Sequence, residues 1–261
     1  MKKSGLKKVY LSLSSIFIFI LHMPLVFAKS KPYYDIKPLP VQTETGVNGD
    51  SIFTSAKIKI LTTASCLYDS MRLNLMGLSQ QTFDYAIKGF KYLVQTGKLA
   101  NNSIISIVDF SQPSSKKRLF VIDLEKGKVI FNTYVAHGAK SGKEFANHFS
   151  NTPESNQSSL GFYETSGTYM GENGYSMRLD GLEPGYNDNA NSRSIVMHGA
   201  AYVNESLVQS QGYICRSWGC PAVPEKLHKP IIDKIKNGTC LFIYSPDKNY
   251  LNHSRILHPA A

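Results

Sequence analysis

The hydrophobic pattern of this chain changes its period near residue 104, and that change limits the folds available to it. Before this point apolar residues recur at helical spacing, and after it short β-branched and aromatic runs alternate with turn residues. Three such runs follow one another at Ile104–Phe110, Arg118–Leu124 and Val129–Ala136. The pattern predicts a helical preface over residues 61–97 and a mainly β core over residues 104–247, α+β overall.

Several elements can be placed within this pattern. Ser79 is expected to cap a helix that Gly97 stops, and the first three strands should pair as an antiparallel meander. Residues 139–160 are polar and too long for a simple turn, so we expect them to be mobile or part of a site. Later elements are predicted as strands at Gly161–Thr165, Tyr175–Leu179, Ser194–His198 and Thr239–Tyr244, a short helix at Asn204–Gln209 and one late helix from Pro224 to Ile235.

The first 28 residues have the three parts of an export signal. A segment with four lysines precedes the apolar Leu11–Leu21, and Val26-Phe27-Ala28 supplies the small residues of a cleavage site. A retained membrane anchor is the alternative, which polar residues within the segment weaken. We expect cleavage near Ala28 with no membrane span afterwards, a flexible leader over residues 29–60, one domain over residues 61–247 and a tail over residues 248–261.

The charge of the chain indicates the kind of partner it would meet. Removal of residues 1–28, which contain four lysines and no acidic residue, lowers the formal net charge from +10 to +6. A mildly basic exported protein suits an anionic cell-envelope partner better than nucleic acid, which it would rarely meet. A solvated surface without a charged partner fits the composition equally well.

One stretch combines the two side chains that ionise most readily near neutral pH. His198-Gly199 ends a strand-like run, and Ser217-Trp218-Gly219-Cys220 follows it in the chain. A nucleophilic thiol needs a general base, a group that orients the base, and N–H donors for the oxyanion. The helix that begins near Pro224 is expected to place its positive end close to Cys220 and to favour the thiolate.

A structural role for the cysteine is open as well. Export permits disulfides, and four cysteines allow two bridges in three connectivities, with Cys220 paired to Cys215 or Cys240 in that case and Cys66 as the fourth. A metal site is not expected, because the chain has no HExxH or CxxC motif and its acidic residues are not spaced as ligands. No cofactor is expected either.

Longer runs around these motifs resemble the murein L,D-transpeptidase catalytic domain family from about Leu78 to Tyr244. That family carries a histidine-glycine pair upstream of a Ser-x-Gly-Cys motif, on a β-rich fold built around a sandwich. The matching runs are IVDFSQPSSKKRLFVIDL, VAHGAKSG, SSLGFYETSGTYMG, GYSMRLDGLEPGYND, SIVMHGAAYV, RSWGCPAVP and GTCLFIY. The resemblance implies a single catalytic domain over residues 61–247 that acts on peptidoglycan stem peptides in the periplasm or cell envelope of a bacterium.

The resemblance also implies a two-step acyl transfer. Cys220 would attack the carbonyl before the terminal D-amino acid of a stem peptide, release that amino acid and pass the acyl group from a thioester to an amine. His198 would serve as the base, the Gly199 carbonyl would orient the imidazole, and the N–H groups of Gly219 and Cys220 would form the oxyanion hole. A second stem peptide, a lysine of an envelope lipoprotein and a free D-amino acid are all open as acceptors.

Two further functions remain as alternatives at this point. Water in place of the amine would make the protein an L,D-carboxypeptidase. A disulfide at Cys220 would leave a non-catalytic domain that binds the cell wall.

The chain departs from the family pattern at two positions. Trp218 stands where most members have a histidine, and Pro221-Ala222-Val223-Pro224 follows the cysteine where an arginine is common. A guanidinium that clamps a stem-peptide carboxylate must therefore come from elsewhere in the chain. His137-Gly138 repeats the histidine-glycine pair, and His137 is expected to be a structural or rim histidine rather than a second base. The candidate substrate-binding residues are Ser217, Trp218, Arg216, Arg178 and Arg193.

Overall fold

The computed structural model describes residues 64–259. The expected export signal over residues 1–28 and the leader over residues 29–60 lie outside the described residues. Within residues 64–259 no helix combines the length and the apolar character needed to cross a membrane.

The described residues form a β-rich α+β fold with few helices, as the sequence predicts. Residues 64–70 are helical, and a short 3-10 helix follows at Leu73–Met76. The α-helices are α1 (Gln80–Gln95), α2 (Glu205–Gln211), α3 (Glu225–Ile235) and α4 (Lys248–His253). The strands are β1 (Ile104–Asp109), β2 (Leu119–Asp123), β3 (Lys128–Thr133), β4 (Gly161–Gly171), β5 (Gly174–Gly181), β6 (Val196–Ala200), β7 (Ala222–Pro224) and β8 (Cys240–Tyr244).

Hydrogen bonds connect the eight strands in the order β3-β2-β1-β8-β4-β5-β6-β7. The first three strands pair antiparallel, which confirms the predicted meander. The late strand β8 enters parallel to β1 and antiparallel to β4, so residues far apart in sequence meet at the centre of the sheet. Strands β6 and β7 pair parallel at the end of this order. Strand β6 contains the histidine-glycine pair, and strand β7 follows the cysteine motif.

Helix α1 covers one part of the sheet and begins as expected. The Ser79 hydroxyl accepts a hydrogen bond from the Thr82 N–H at 3.1 Å, which satisfies one of the free donors of the first turn. The helix ends at Gln95, two residues before Gly97. Its apolar face joins the core through the buried side chains of Phe83, Ala86, Ile87, Phe90 and Leu93.

The segment beyond residue 247, which the sequence suggests as a tail, supplies part of the core. Tyr250 of α4 is buried, as are Ile256 and Leu257. The buried carboxylate of Glu183 accepts hydrogen bonds from the Tyr250 hydroxyl at 2.8 Å and from the Ser254 hydroxyl. Because a buried carboxylate requires such partners, Glu183 ties this segment to the rest of the fold.

Candidate active site

Strands β6 and β7 bring the histidine-glycine pair next to the cysteine motif. In their parallel register His198 lies opposite Ala222, and Gly199 lies opposite Val223. Cys220 precedes Ala222 by two residues, so it lies just before β7 and beside β6. Both His198 and Cys220 line a cleft of about 740 Å³. Pairing of two short strands therefore joins motifs that are distant in the sequence.

Ser217 holds the turn that presents Cys220. Its hydroxyl donates to the Cys220 carbonyl at 2.7 Å and accepts from the Gly219 N–H at 3.1 Å. Gly219 has φ of +127°, and a Cβ on it would lie 2.9 Å from the Gln157 carbonyl oxygen. Only glycine combines this backbone conformation with so close a neighbour. The Ser-x-Gly-Cys motif is therefore a compact turn clamped by its own serine.

The earlier histidine-glycine pair, His137-Gly138, supports this turn from behind. The Ser217 N–H donates to the His137 carbonyl at 2.9 Å, and the Ala139 N–H donates to the Ser217 carbonyl at 2.7 Å. Gly138 and Ser217 thus form an isolated parallel bridge. The backbone of residues 137–139 fixes the position of the motif's first residue.

The His137 side chain is enclosed and stays neutral. Arg118 Nη2 donates to His137 Nδ1 at 2.7 Å, and His137 Nε2 contacts the Gly142 carbonyl at 3.2 Å. Since a guanidinium only donates and a carbonyl only accepts, the ring proton lies on Nε2. Burial, followed by the charge of Arg118, lowers the pKa of His137 to about 3. Both ring nitrogens have protein partners, so His137 has a structural place, as expected.

His198 presents the opposite tautomer at the cleft. Its Nδ1–H donates to the carbonyl of the next residue, Gly199, at 2.9 Å. The residue is only 4% exposed. Burial lowers the pKa of His198, and this effect outweighs the Gly199 carbonyl, which favours the protonated ring. A neutral imidazole with the proton on Nδ1 has a lone pair on Nε2 and can accept a proton there.

Cys220 is a free, half-buried thiol at the same cleft. All four cysteines lie within the described residues, and each is a free thiol there. Cys220 Sγ accepts from the Val196 N–H at 3.5 Å, and the thiol donates to the Ser194 carbonyl at 3.7 Å.

The expectation of a lowered thiol pKa is wrong. Burial raises the pKa of Cys220 and outweighs both the Val196 N–H and the charge of Arg193. Helix α3 begins only at Glu225, and the field of a helix end falls off within about one turn.

Arg193 lines the cleft, but both terminal nitrogens of its guanidinium donate hydrogen bonds to other residues of the protein. Nη1 donates to the Ser150 carbonyl at 2.7 Å and to the Ser159 hydroxyl, and Nη2 donates to the Ser155 hydroxyl at 3.0 Å and the Gln157 carbonyl at 2.8 Å. Its buried Nε–H finds no partner within residues 64–259. Arg193 therefore holds the polar segment 150–159 in place.

The other two candidate arginines lie in different surroundings. Arg216 is exposed at the cleft and donates from Nη1 to the Gly142 carbonyl at 3.2 Å. Arg178 does not line this cleft; its guanidinium lies 4.5 Å from the centre of the Tyr169 ring, beside a separate pocket of about 220 Å³. Ser217 and Trp218 both line the cleft, so of the five substrate-binding candidates only Arg178 lies outside it.

The sequence does not reveal some residues that complete the cleft. Tyr202 lines it, and burial raises the pKa of that phenol to about 12. Tyr169, Glu172 and Asn173 also line it, from the tip of the β4–β5 hairpin. Strand β4 runs to Gly171, beyond the predicted Thr165, so the hairpin reaches the cleft through residues that carry no clear alternation.

Solved structures, among them L,D-transpeptidases, are similar to the chain at low identity. An L,D-transpeptidase from Mycobacterium smegmatis is 13% identical, with a TM-score of 0.33 over 55% of this chain and 59% of that one. An L,D-transpeptidase from Stackebrandtia nassauensis is 14% identical, with a TM-score of 0.34 over 62% and 66%. The helical cell shape determining protein Pgp2 from Campylobacter jejuni is 14% identical, with a TM-score of 0.37 over 62% and 57%. The chain thus spans less than two thirds of each of these proteins.

Sequence comparison identifies the family. No curated protein matches the chain. The family described as the L,D-transpeptidase catalytic domain matches residues 75–244, which is well over half of the sequence. That match confirms the resemblance seen in the motifs, and it contains His198, Ser217 and Cys220. The protein belongs to the L,D-transpeptidase catalytic domain family.

Proposed function

We propose that this protein is a peptidoglycan L,D-transpeptidase with Cys220 as its nucleophile. Cys220 forms an acyl-enzyme with a stem peptide, releases the terminal D-amino acid and passes the acyl group to an amine. One observation carries the proposal: a free thiol and a neutral histidine, fixed by the Gly199 carbonyl at 2.9 Å, line the same cleft. These are the groups that thiol-based acyl transfer requires.

The protonation states support a general-base mechanism. Burial raises the pKa of Cys220 and lowers that of His198, so both groups are neutral at rest. In the proposed reaction the thiol proton moves to His198 Nε2 as Sγ attacks the carbonyl. The imidazolium then gives this proton to the leaving amine, and a thioester remains. The acceptor amine reverses these steps, losing its proton to His198 as it displaces Cys220.

The two candidate oxyanion donors differ in whether they already make a hydrogen bond within the protein. The Cys220 N–H finds no acceptor among residues 64–259, whereas the Gly219 N–H donates to the Ser217 hydroxyl at 3.1 Å. We therefore assign the first oxyanion donor to the Cys220 N–H. The Gly219 N–H becomes the second donor once it leaves the Ser217 hydroxyl, which keeps its hydrogen bond to the Cys220 carbonyl.

Among the candidate arginines, Arg216 has donors to spare for a substrate. It uses one recorded hydrogen bond on the Gly142 carbonyl, whereas Arg193 uses both terminal nitrogens on segment 150–159. Arg216 is thus the proposed partner of a stem-peptide carboxylate, in place of the arginine that commonly follows the cysteine. Trp218, which is 82% exposed, is proposed to contact the same substrate at the rim of the cleft.

The nature of the acceptor separates transfer from hydrolysis. A second stem peptide, a lipoprotein lysine and a free D-amino acid are amine acceptors, and water would give an L,D-carboxypeptidase. The free thiol of Cys220 argues against a wall-binding domain locked by a disulfide. The proposed setting is the bacterial periplasm or cell envelope, reached by cleavage near Ala28. N-terminal sequencing of the exported protein tests that cleavage.

Product analysis tests the proposal. Purified protein is incubated with disaccharide-tetrapeptides, and the muropeptides are separated and weighed. Cross-linked dimers are expected; disaccharide-tripeptide alone would instead identify a carboxypeptidase. Cys220→Ala and His198→Ala should each abolish both products, whereas Cys66→Ala, which changes an exposed thiol, should not. Turnover by Cys220→Ala at the wild-type rate would refute the proposed nucleophile.

A further inference from the structure

Gly199, whose carbonyl orients His198, packs directly against a second histidine. A Cβ on Gly199 would lie 2.7 Å from Cγ and 2.8 Å from Nδ1 of His228, on helix α3. Such distances are well inside van der Waals contact, so only a hydrogen atom fits between the two residues. The ring of His228 therefore explains why glycine follows His198.

His228 is itself held on more than one side. Its Nδ1–H donates to the Glu225 carbonyl one turn earlier, which leaves the other ring nitrogen without the proton when the ring is neutral. The ring also packs against Tyr175 of β5, with 6.4 Å between ring centres. Helix α3 packs on β6 through this region. The ring thus forms a fixed surface under Gly199.

The charged groups around His228 come from α3, β5 and β6. Asp233 of α3 accepts hydrogen bonds from Lys229, Lys236 and the Tyr175 hydroxyl, so it is fully engaged within this cluster. The Glu225 and Lys226 side chains are exposed in the first turn of α3. On β6 the titratable neighbour is His198, and a charge on His228 disfavours a second charge on that ring.

We propose that His228 is a positioning residue for His198. Its ring supports Gly199, so that the Gly199 carbonyl stays in line with His198 Nδ1–H and Nε2 remains the basic nitrogen. The catalytic meaning of this contact rests on the proposed function, whereas the contact itself does not. His228 acts only through Gly199 and His198, because it does not line the cleft.

Two substitutions at His228 separate the packing of its ring under Gly199 from the effect of its charge on His198. His228→Ala removes the ring, so the Gly199 carbonyl can turn away, and kcat/KM should fall about tenfold. His228→Phe keeps a ring of similar size but carries no charge. It should retain most of the activity, while the acidic limb of the pH profile moves to higher pH. The sign follows because loss of a neighbouring positive charge makes His198 easier to protonate. Lys226→Ala, an exposed change in the same helix, is the control and should match the wild type.

A paired substitution tests the contact itself. Gly199→Ala alone should be nearly inactive, because its Cβ would overlap the His228 ring. Adding His228→Ala removes the two closest ring atoms and leaves only the Cβ of residue 228 at 3.1 Å, so the double variant should recover at least several-fold over Gly199→Ala. Two independent defects would instead multiply, and a double variant weaker than both single variants would overturn the proposal.

The closing experiment needs no substrate. The His198 ring is titrated by NMR in the wild type, His228→Ala, His228→Phe and Lys226→Ala, and the pH-dependent alkylation of Cys220 by iodoacetamide is followed by mass analysis of its peptide. Both His228 variants lack a charge at position 228, but only His228→Ala lacks the ring, and loss of the Gly199 carbonyl disfavours the protonated His198 ring. A lower pKa of His198 in His228→Ala than in His228→Phe supports the inference, even where the wild type fails to transfer muropeptides and the proposed function is lost. Identical His198 titration and alkylation profiles in His228→Ala and His228→Phe overturn the inference, even where transpeptidation is confirmed.

Discussion

Replacing Ser217 with alanine tests how the turn before Cys220 is held. The Ser217 hydroxyl donates to the Cys220 carbonyl at 2.7 Å and accepts from the Gly219 N–H at 3.1 Å, and the residue is only 4% exposed. Alanine removes both hydrogen bonds and leaves the buried Gly219 N–H without a partner, whereas the Cys220 carbonyl keeps the Ala222 N–H at 3.0 Å. The turn that presents the thiol then loses the contacts that span it.

The structure sets the size of this effect. Each hydrogen bond contributes about 1 kcal/mol, and a buried group left without a partner costs about 1–3 kcal/mol. We therefore expect Ser217→Ala to lower the free energy of unfolding by about 2–3 kcal/mol. For a domain of this size, that corresponds to a drop in Tm of roughly 4–12 °C. Because Cys220 is no longer fixed, kcat should also fall about tenfold.

Thermal unfolding and steady-state kinetics on the same preparations provide the assay. Ser217→Thr keeps the hydroxyl and serves as the matched control, with both Tm and kcat close to those of the wild type. The sequence alone suggests instead that Ser217 binds substrate. That role predicts a raised KM with an unchanged Tm, and this combination would show that the Ser217 hydroxyl does not hold the turn.

Three further predictions follow from buried or exposed groups at the site. Arg193→Met should lower the free energy of unfolding by about 3 kcal/mol, measured with denaturant, because the Arg193 nitrogens hold segment 150–159. It should also slow Cys220 alkylation at a given pH, because the charge of Arg193 favours the thiolate. Arg193→Lys should restore the alkylation rate but only part of the stability, and equal stability of all three proteins would contradict this structural role of Arg193. Because the folded-state pKa of His137 is about 3, below its usual 6.5, the stability it contributes is complete above pH 6.5 and is lost as pH falls toward 3. As the pH falls from 6.5 toward 3, the free energy of unfolding should decrease by up to about 1.4 kcal/mol per pH unit. His137→Gln should remove this pH dependence, and His148→Gln should keep it. An unchanged slope in His137→Gln would show that His137 is not the cause. Trp218→His should leave Tm unchanged, because the indole is 82% exposed, while KM for a disaccharide-tetrapeptide changes; an unchanged KM would remove Trp218 from the substrate site.

Local patterns predict the elements of this fold better than their ends. Ser79 caps α1 as expected, because a cap depends only on neighbours in the chain. The end of β4 is missed by six residues, from the predicted Thr165 to the observed Gly171. Beyond Thr165 the hairpin leaves the core, so its side chains no longer alternate between buried and exposed, and the signal used to recognise a strand disappears.

The candidate site also combines residues that local patterns predict with contacts that they miss. The motifs indicate His198 and Cys220 as a candidate base and nucleophile, and the structure places both at one cleft. The motifs say nothing of contacts that only folding creates. The buried pair of Arg118 and His137, and the packing of His228 on Gly199, join residues with no common period or motif. The thiol pKa likewise depends on burial, which outweighs the expected influence of the helix. The sequence thus indicates the proposed reacting groups, whereas their burial, and with it the direction of their pKa shifts, follows from the fold.

Mass analysis of the enzyme during turnover tests whether Cys220 carries the acyl group. The protein is mixed with a disaccharide-tetrapeptide, quenched in acid, digested and weighed peptide by peptide. We expect an adduct on the peptide that contains Cys220, with the mass of the donor less its terminal D-amino acid, and no such adduct in Cys220→Ala. Turnover without any adduct at Cys220, or with the adduct on Cys66 or Cys215 instead, would contradict it.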